Sequence, residues 1–218
     1  DLGEVLEAEG DLPGARTQFE QSLAIAQKIG AAANAAESQE ELARLAMEEG
    51  HPEQAEASLH AAIAEFEKQK SDPDSSSAYT LLSRALLMQG KVGQARVTAQ
   101  RGAELSRTSS DPALKLSAEI QQARAEAASE QSDRKRLVAA QRLQTVVAGA
   151  NRLGFYNIEC QARLALGSLE LRLNPSLGRK HLTVLATETR SRGLELLARQ
   201  AEGTLANGTA VAENRSGR

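Results

Sequence analysis

The sequence has no tryptophan, one cysteine, five prolines and only five aromatic side chains (Phe19, Phe66, Tyr79, Phe155 and Tyr156) in 218 residues. β-Sandwiches and barrels fill their pleated faces with aromatic and β-branched residues, so this scarcity argues against both. A single thiol, Cys160, makes no internal disulfide, and a reducing, cytoplasmic setting is expected. No apolar run approaches the ~20 residues that span a bilayer, so no membrane partner is expected. The first residue is Asp1, no leader-like pattern follows, and the first periodic segment starts abruptly; this reads as a fragment lacking an N-terminal part.

Alanine, by contrast, is abundant, with 39 residues, and the charge is unevenly spread. Residues 1–70 carry 15 acids and 5 bases, whereas residues 71–218 carry 14 acids and 21 bases. Within residues 131–192 there are 11 bases and 4 acids. Such an asymmetry steers partners and favours head-to-tail or antiparallel self-association; a merely solvated surface is the plainer account.

Self-similarity decides the fold class. Gly10, Gly50 and Gly90 recur every 40 residues, and five residues after each stand Ala15, Ala55 and Ala95. Phe19, Leu59 and Ala99 follow in register, then Leu23, Ile63 and Ala103. Ala139 with Leu143 and Val146, and Gly178 with Leu182 and Leu185, continue the pattern after longer and shorter steps. Apolar residues fall at spacings of three and four, as in Ala55, Leu59, Ala62, Ile63 and Phe66, which is the period of an amphipathic helix. All five prolines stand where helices begin: Asp111-Pro112 and Asn174-Pro175 pair a capping residue with proline, and His51-Pro52, Asp72-Pro73 and Asp11-Leu12-Pro13 are looser versions.

The first unit, Leu2-Gly3, Leu6, Gly10-Asp11, Ala15, Phe19 and Leu23, resembles the tetratricopeptide repeat. Later units replace the Leu-Gly pair by Leu42-Ala43 and Leu82-Ser83, the fourth has Ser132-Asp133-Arg134 in place of the turn glycine, and the fifth restores Leu166-Gly167. The resemblance implies an all-α solenoid of stacked antiparallel helix pairs, about eleven helices in one right-handed superhelix. The 40-residue step is longer than the family's usual repeat and implies longer helices. The units are placed at residues 1–33, 34–73, 74–111, 112–154 and 155–193, with a capping helix at 194–203 and a flexible tail at 204–218.

Catalytic constellations are missing. Gly90-Lys91 lacks the leading glycine and following hydroxyl of a phosphate loop. His51, His60 and His181 lack metal-ligand spacing, so neither metal nor cofactor is expected. Cys160 reads as a half-buried helix cysteine, and the paired carboxylates Glu40-Glu41 and Glu48-Glu49 as solvated faces. No enzyme activity is expected of this chain.

One constellation stands out. Arg44, Arg84, Arg124 and Arg163 recur at steps of 40, 40 and 39, each on the first helix of its unit. The resemblance implies that first helices line a concave, ligand-holding face, where stacked arginines would offer bidentate donors to carboxylates. Thr80, Met47 and Met88 would supply polar and adaptable contacts on the same face. Two readings stand: a recognition groove, or ion pairs internal to the repeats. Arg44 has Glu40, Glu41 and Glu48 within helical reach; Arg84 and Arg124 have no acid three or four residues away, and Arg163 is grouped with them.

The leading functional expectation is therefore a non-enzymatic scaffold binding a protein or peptide segment with acidic groups. The resemblance also suggests a regulatory segment of a larger bacterial signalling protein, such as a serine/threonine kinase or transcriptional activator. Nucleic-acid binding, motivated by Arg134, Lys135, Arg136, Arg142 and Arg152, is disfavoured by the acidic first 70 residues and the lack of stacking aromatics.

Overall fold

The computed structural model describes residues 2–129 and 132–216, the side chains of 208–216 apart. Among the described residues there are eleven α-helices and no strand. They are α1 (Leu2–Glu9), α2 (Leu12–Ile29), α3 (Ala32–Glu48), α4 (Pro52–Gln69), α5 (Asp72–Met88), α6 (Val92–Ser106), α7 (Pro112–Ser129), α8 (Asp133–Leu153), α9 (Tyr156–Leu173), α10 (Pro175–Ser191) and α11 (Glu195–Ser216). Helices α2 to α5 are 17 or 18 residues long, which is where the long repeat step goes.

The turns follow from local chemistry. Gly10, Gly50 and Gly90 sit at φ of 85°, 84° and 73°, a left-handed conformation that side chains with a Cβ resist. Asp11 accepts from the Gly14 amide at 3.0 Å, Asp111 from Ala113 at 2.8 Å and Asn174 from Leu177 at 3.3 Å, so each caps its helix as the sequence implies. His51 caps nothing with its side chain, and Asp72 lies inside α5, whose N-cap is Ser71.

The helices form two compact units, residues 2–7 with 11–129 and residues 8–10 with 132–216. The division falls between α7 and α8, and within α1 after Glu7. In the first unit α2 to α7 pack each on the next, and α5 also packs on α3 and α7. In the second unit α8, α9, α10 and α11 pack in succession, with α11 also on α9. Within each unit, connections of a few residues make consecutive helices antiparallel.

Small residues set how closely the helices approach. Ala15, Ala55 and Ala95 are fully buried at equivalent places on α2, α4 and α6. A second series runs against it. Gly3 lies under the Phe19 ring, Ala43 shares a core with Leu59, and Ser83 occupies the place that pairs in register with Ala99. As the odd-helix residue grows from Gly to Ala to Ser, the even-helix residue shrinks from Phe to Leu to Ala, which keeps the layer filled. Gly167 against Leu182 repeats the first solution in the second unit.

The last helix differs from expectation: α11 continues through the position where a tail was placed. Leu205 packs against the core of the second unit, and the Thr204 hydroxyl donates to the Gln200 carbonyl at 2.8 Å, so residues 204 and 205 are held by contacts the composition does not show. Of the expected tail, the side chains from 208 onward and residues 217–218 lie outside the described residues.

Candidate partner-binding face

On α3 the spacing of three and four places Glu37, Glu41, Arg44 and Glu48 along one stripe; α5 carries Ser77 and Arg84 toward it, and α7 carries Gln121 and Arg124. The polar contacts between these odd helices run one repeat back along the chain. Arg44 on α3 pairs with Glu7 of α1 at 2.8 Å and also bonds Glu41. Arg84 on α5 bonds Glu48 of α3, Ser77 donates to Glu40, and Gln121 on α7 donates to Ser83 at 3.1 Å. The spacings are 37 for Ser77 to Glu40, 36 for Arg84 to Glu48 and 38 for Gln121 to Ser83, all just under one repeat.

Carboxylates withdrawn from water set the electrostatics. Glu7 is 8 % exposed and Glu48 7 %. Burial pushes Glu7 up to about 7, partly offset by the Arg44 charge. Burial likewise pushes Glu40 up to about 7, against the hydrogen bond from Ser77, and raises Glu41 despite Arg44. Arg44 keeps a buried Nε with no hydrogen-bond acceptor, so its guanidinium is held by charge but incompletely bonded.

Arg124 is the exception in the series. It is half-buried and makes no ion pair among the described residues. Desolvation together with the like charge of Arg84 lowers it to about 10, against the pull of Glu48. The reason is in the register. The carboxylate that serves Arg84 stands 36 residues earlier, and 36 residues before Arg124 stands Met88. Met88 ends α5 with 46 % of its surface exposed.

The other expected contact residues are placed differently. Met47 is 2 % exposed, in the core with Ala43, Leu59, Phe66 and Leu86, and is a packing residue without access to a partner. Thr80 is half-buried and turned toward α6, where Gly102 leaves room for its hydroxyl, which donates to the Ser76 carbonyl at 2.8 Å. Arg163 belongs to the second unit and bridges Glu159 on its own helix at 3.6 Å to Glu188 on α10 at 2.7 Å. Grouping Arg163 with the arginines lacking an acid in reach overlooks Glu159, four residues before it.

The sequence reading missed Glu7, Glu40 and Glu48 as the members that fix the arginines and the serine between them. The usable signal was the repeat itself: a partner sought one period back, not one helical turn away, finds them. Cys160 is fully buried rather than half-buried, and burial raises its thiol, which keeps it protonated and unreactive. Among the described residues no group of three or more His, Cys, Asp or Glu side chains is arranged to hold a metal ion. No described helix is long and apolar enough to cross a membrane.

Residues 46–120 match the tetratricopeptide repeat family. No curated protein matches the sequence. Among solved structures, the chain is similar to a Podosopora anserina putative kinesin light chain with nearly identical TPR-like repeats, at 20 % identity, 94 % of this chain, 92 % of that one and a TM-score of 0.53. A single-substitution form of that protein gives 21 % identity, 96 % and 93 % coverage, and a TM-score of 0.54.

Proposed function

We propose, taking the chain as an array of tetratricopeptide-like repeats, that it is a non-enzymatic interaction module whose first unit binds a protein or peptide segment on the odd-helix face, with an acidic side chain of that segment held by Arg124. The observation that carries this reading is the isolation of Arg124: the two preceding arginines each pair with a glutamate of the odd helix before, and this one does not. A desolvated guanidinium with no carboxylate in contact is costly, and a carboxylate from outside would relieve that cost with paired hydrogen bonds. Exposed Met88, one repeat back in register, offers an adaptable apolar contact beside that carboxylate. Arg44 and Arg84 then act as a preformed, internally balanced frame and not as ligand donors.

The test is fluorescence anisotropy with labelled peptide pools, acidic and neutral, against the wild type and Arg124→Gln. Acidic peptides bind the wild type and lose at least about tenfold, ~1.4 kcal/mol, in the variant. Binding of acidic peptides that is indifferent to Arg124→Gln overturns the assignment.

A further inference from the structure

The second unit carries a surface of a different kind. Because α8, α9 and α10 alternate in direction, one end of the unit gathers the start of α8, the end of α9 and the start of α10. That end holds Arg134, Lys135 and Arg136 from the first turn of α8, Arg172 from the last turn of α9, and Arg179 and Lys180 from α10. The described carboxylates there are both engaged: Asp133 with Arg136 at 2.8 Å, and Glu170 with His181 at 2.6 Å. Arg134, Arg172, Arg179 and Lys180 are exposed and make no ion pair among the described residues. Leu137 and Val138, exposed at 52 % and 61 %, follow Arg134 on α8.

The complement is present in the chain itself. By charged residues, the first unit (residues 2–7 and 11–129) has 19 acids and 12 bases, a net of −7; residues 8–10 with 132–216 have 8 acids and 13 bases, a net of +5. In the first unit, the end of α3 and the start of α4 bring Glu49, Glu53 and Glu56 together, Glu49 bonded to Arg16 and Glu56 to Lys91 at 2.8 Å. Exposed Glu53 makes no ion pair among the described residues. The basic end has no aromatic to stack a base, since Phe155 and Tyr156 start α9 at the opposite end, which disfavours single-stranded nucleic acid there.

We propose that the basic end of the second unit, with Arg134, Arg172, Arg179 and Lys180, docks the acidic α3–α4 end of the first unit of a second copy of this chain. The proposal deepens the interaction reading above, on which it rests, by naming a second partner at a separate surface. The cations steer the encounter and fix its register.

Sedimentation velocity of the whole chain at about 50 mM and about 500 mM salt tests it, because the Debye length shortens about threefold between them. The wild type sediments above its 23.2 kDa monomer mass at low salt and returns to it at high salt. Arg134→Glu, Arg179→Glu and Lys180→Glu combined weaken the association at least about tenfold, ~1.4 kcal/mol, with the helical circular dichroism retained. A second variant, Glu53→Lys with Glu56→Lys, associates as weakly alone, yet an equimolar mixture of the two reversed variants assembles at low salt. A wild type that stays monomeric at low salt overturns the proposal, as does an association indifferent to the charge reversals. Binding of anionic vesicles or duplex RNA by a chain that remains monomeric also overturns it, and reassigns the basic end. Arg124→Gln leaves the sedimentation unchanged, so failure of the peptide reading and failure of this one are told apart.

Discussion

Two desolvated glutamates on the odd helices make the first unit sensitive to pH in an unusual direction. Glu7 and Glu40 hold their protons up to about 7 in the folded chain, against an ordinary value of 4.5. Between those values the folded state binds more protons than the unfolded one, so stability falls as pH rises through that window. Their contribution is fully present below about 4.5, declines through 7 and is flat above. Displacements of this size correspond to at most ~3 kcal/mol per group at 1.36 kcal/mol per pH unit. Side chains that face a partly open surface relax and hydrate, so about 1 kcal/mol each is the working figure. Urea unfolding followed by helical circular dichroism at pH 5.5, 6.5, 7.5 and 8.5, chosen to bracket about 7, reads the effect. With a slope of about 1–3 kcal/mol per molar urea, the pair moves the midpoint down by about 1 M across the series. Glu7→Gln and Glu40→Gln each remove part of the slope and together remove most of it, since an amide keeps the shape of the protonated acid and does not titrate; Glu41, also raised by burial, accounts for the remainder. A wild-type midpoint that is constant or rises with pH refutes the reasoning, and so does a double variant that keeps the full slope.

Three further substitutions probe the packing and the turns. Gly178→Ala places a Cβ 2.5 Å from the Leu171 amide nitrogen, so α9 and α10 must separate, at a cost of about 1–3 kcal/mol or more in thermal unfolding; an unchanged melting temperature contradicts the close approach. Lys70→Gly relieves a left-handed residue, φ 57°, at the place where Gly30 stands one repeat earlier, and raises stability by about 0.5–1 kcal/mol; a loss would show that the lysine side chain does more than the backbone costs. Asp11→Ala removes the cap on the Gly14 amide and costs about 1 kcal/mol in the same melts, whereas Asp11→Ser retains most of it.

The fold was legible because its causes are local and repeated. Gly10, Gly50 and Gly90 need positive φ, Ala15, Ala55 and Ala95 need to be small, and a 40-residue register makes such needs visible in a single chain. The site was legible only in part. The arginine series is a true feature of the odd helices, but helical reach of three or four residues was the wrong ruler for Arg44 and Arg84, whose decisive partners Glu7 and Glu48 lie on the preceding odd helix. Met47 reads as a groove residue because methionine makes adaptable contacts, although its repeat equivalent Leu87 packs against the same core that buries Met47. Thr80 turns to α6 because Gly102 opens a space, a contact 22 residues away that no helical wheel of α5 contains. Lys70 gave no signal at all: only its register with Gly30 marks it as strained.

The same register yields a substitution that tests both the electrostatics and the function. Met88→Glu puts a carboxylate where Glu48 stands for Arg84, and so supplies Arg124 with the partner it lacks. A negative charge in the last turn of α5 opposes the helix dipole by about 0.3–1 kcal/mol. Pairing with a desolvated guanidinium gains more, because hydrogen bonds to charged groups are worth about 1.5–3 kcal/mol. The balance is a rise of about 1 kcal/mol in stability. Binding of acidic peptides falls at the same time, since the internal carboxylate occupies the donors that the ligand would use. Met88→Gln serves as the control: it keeps the length of the glutamate without its charge, leaves Arg124 without a counter-ion and preserves the binding of acidic peptides. The pairing is then read in one comparison, stability up and binding down for the glutamate alone. A Met88→Glu variant that binds acidic peptides as the wild type does, with no gain in stability, would mean that Arg124 is not isolated by the missing carboxylate, and the assignment of the odd-helix face to an acidic ligand would lose its physical basis.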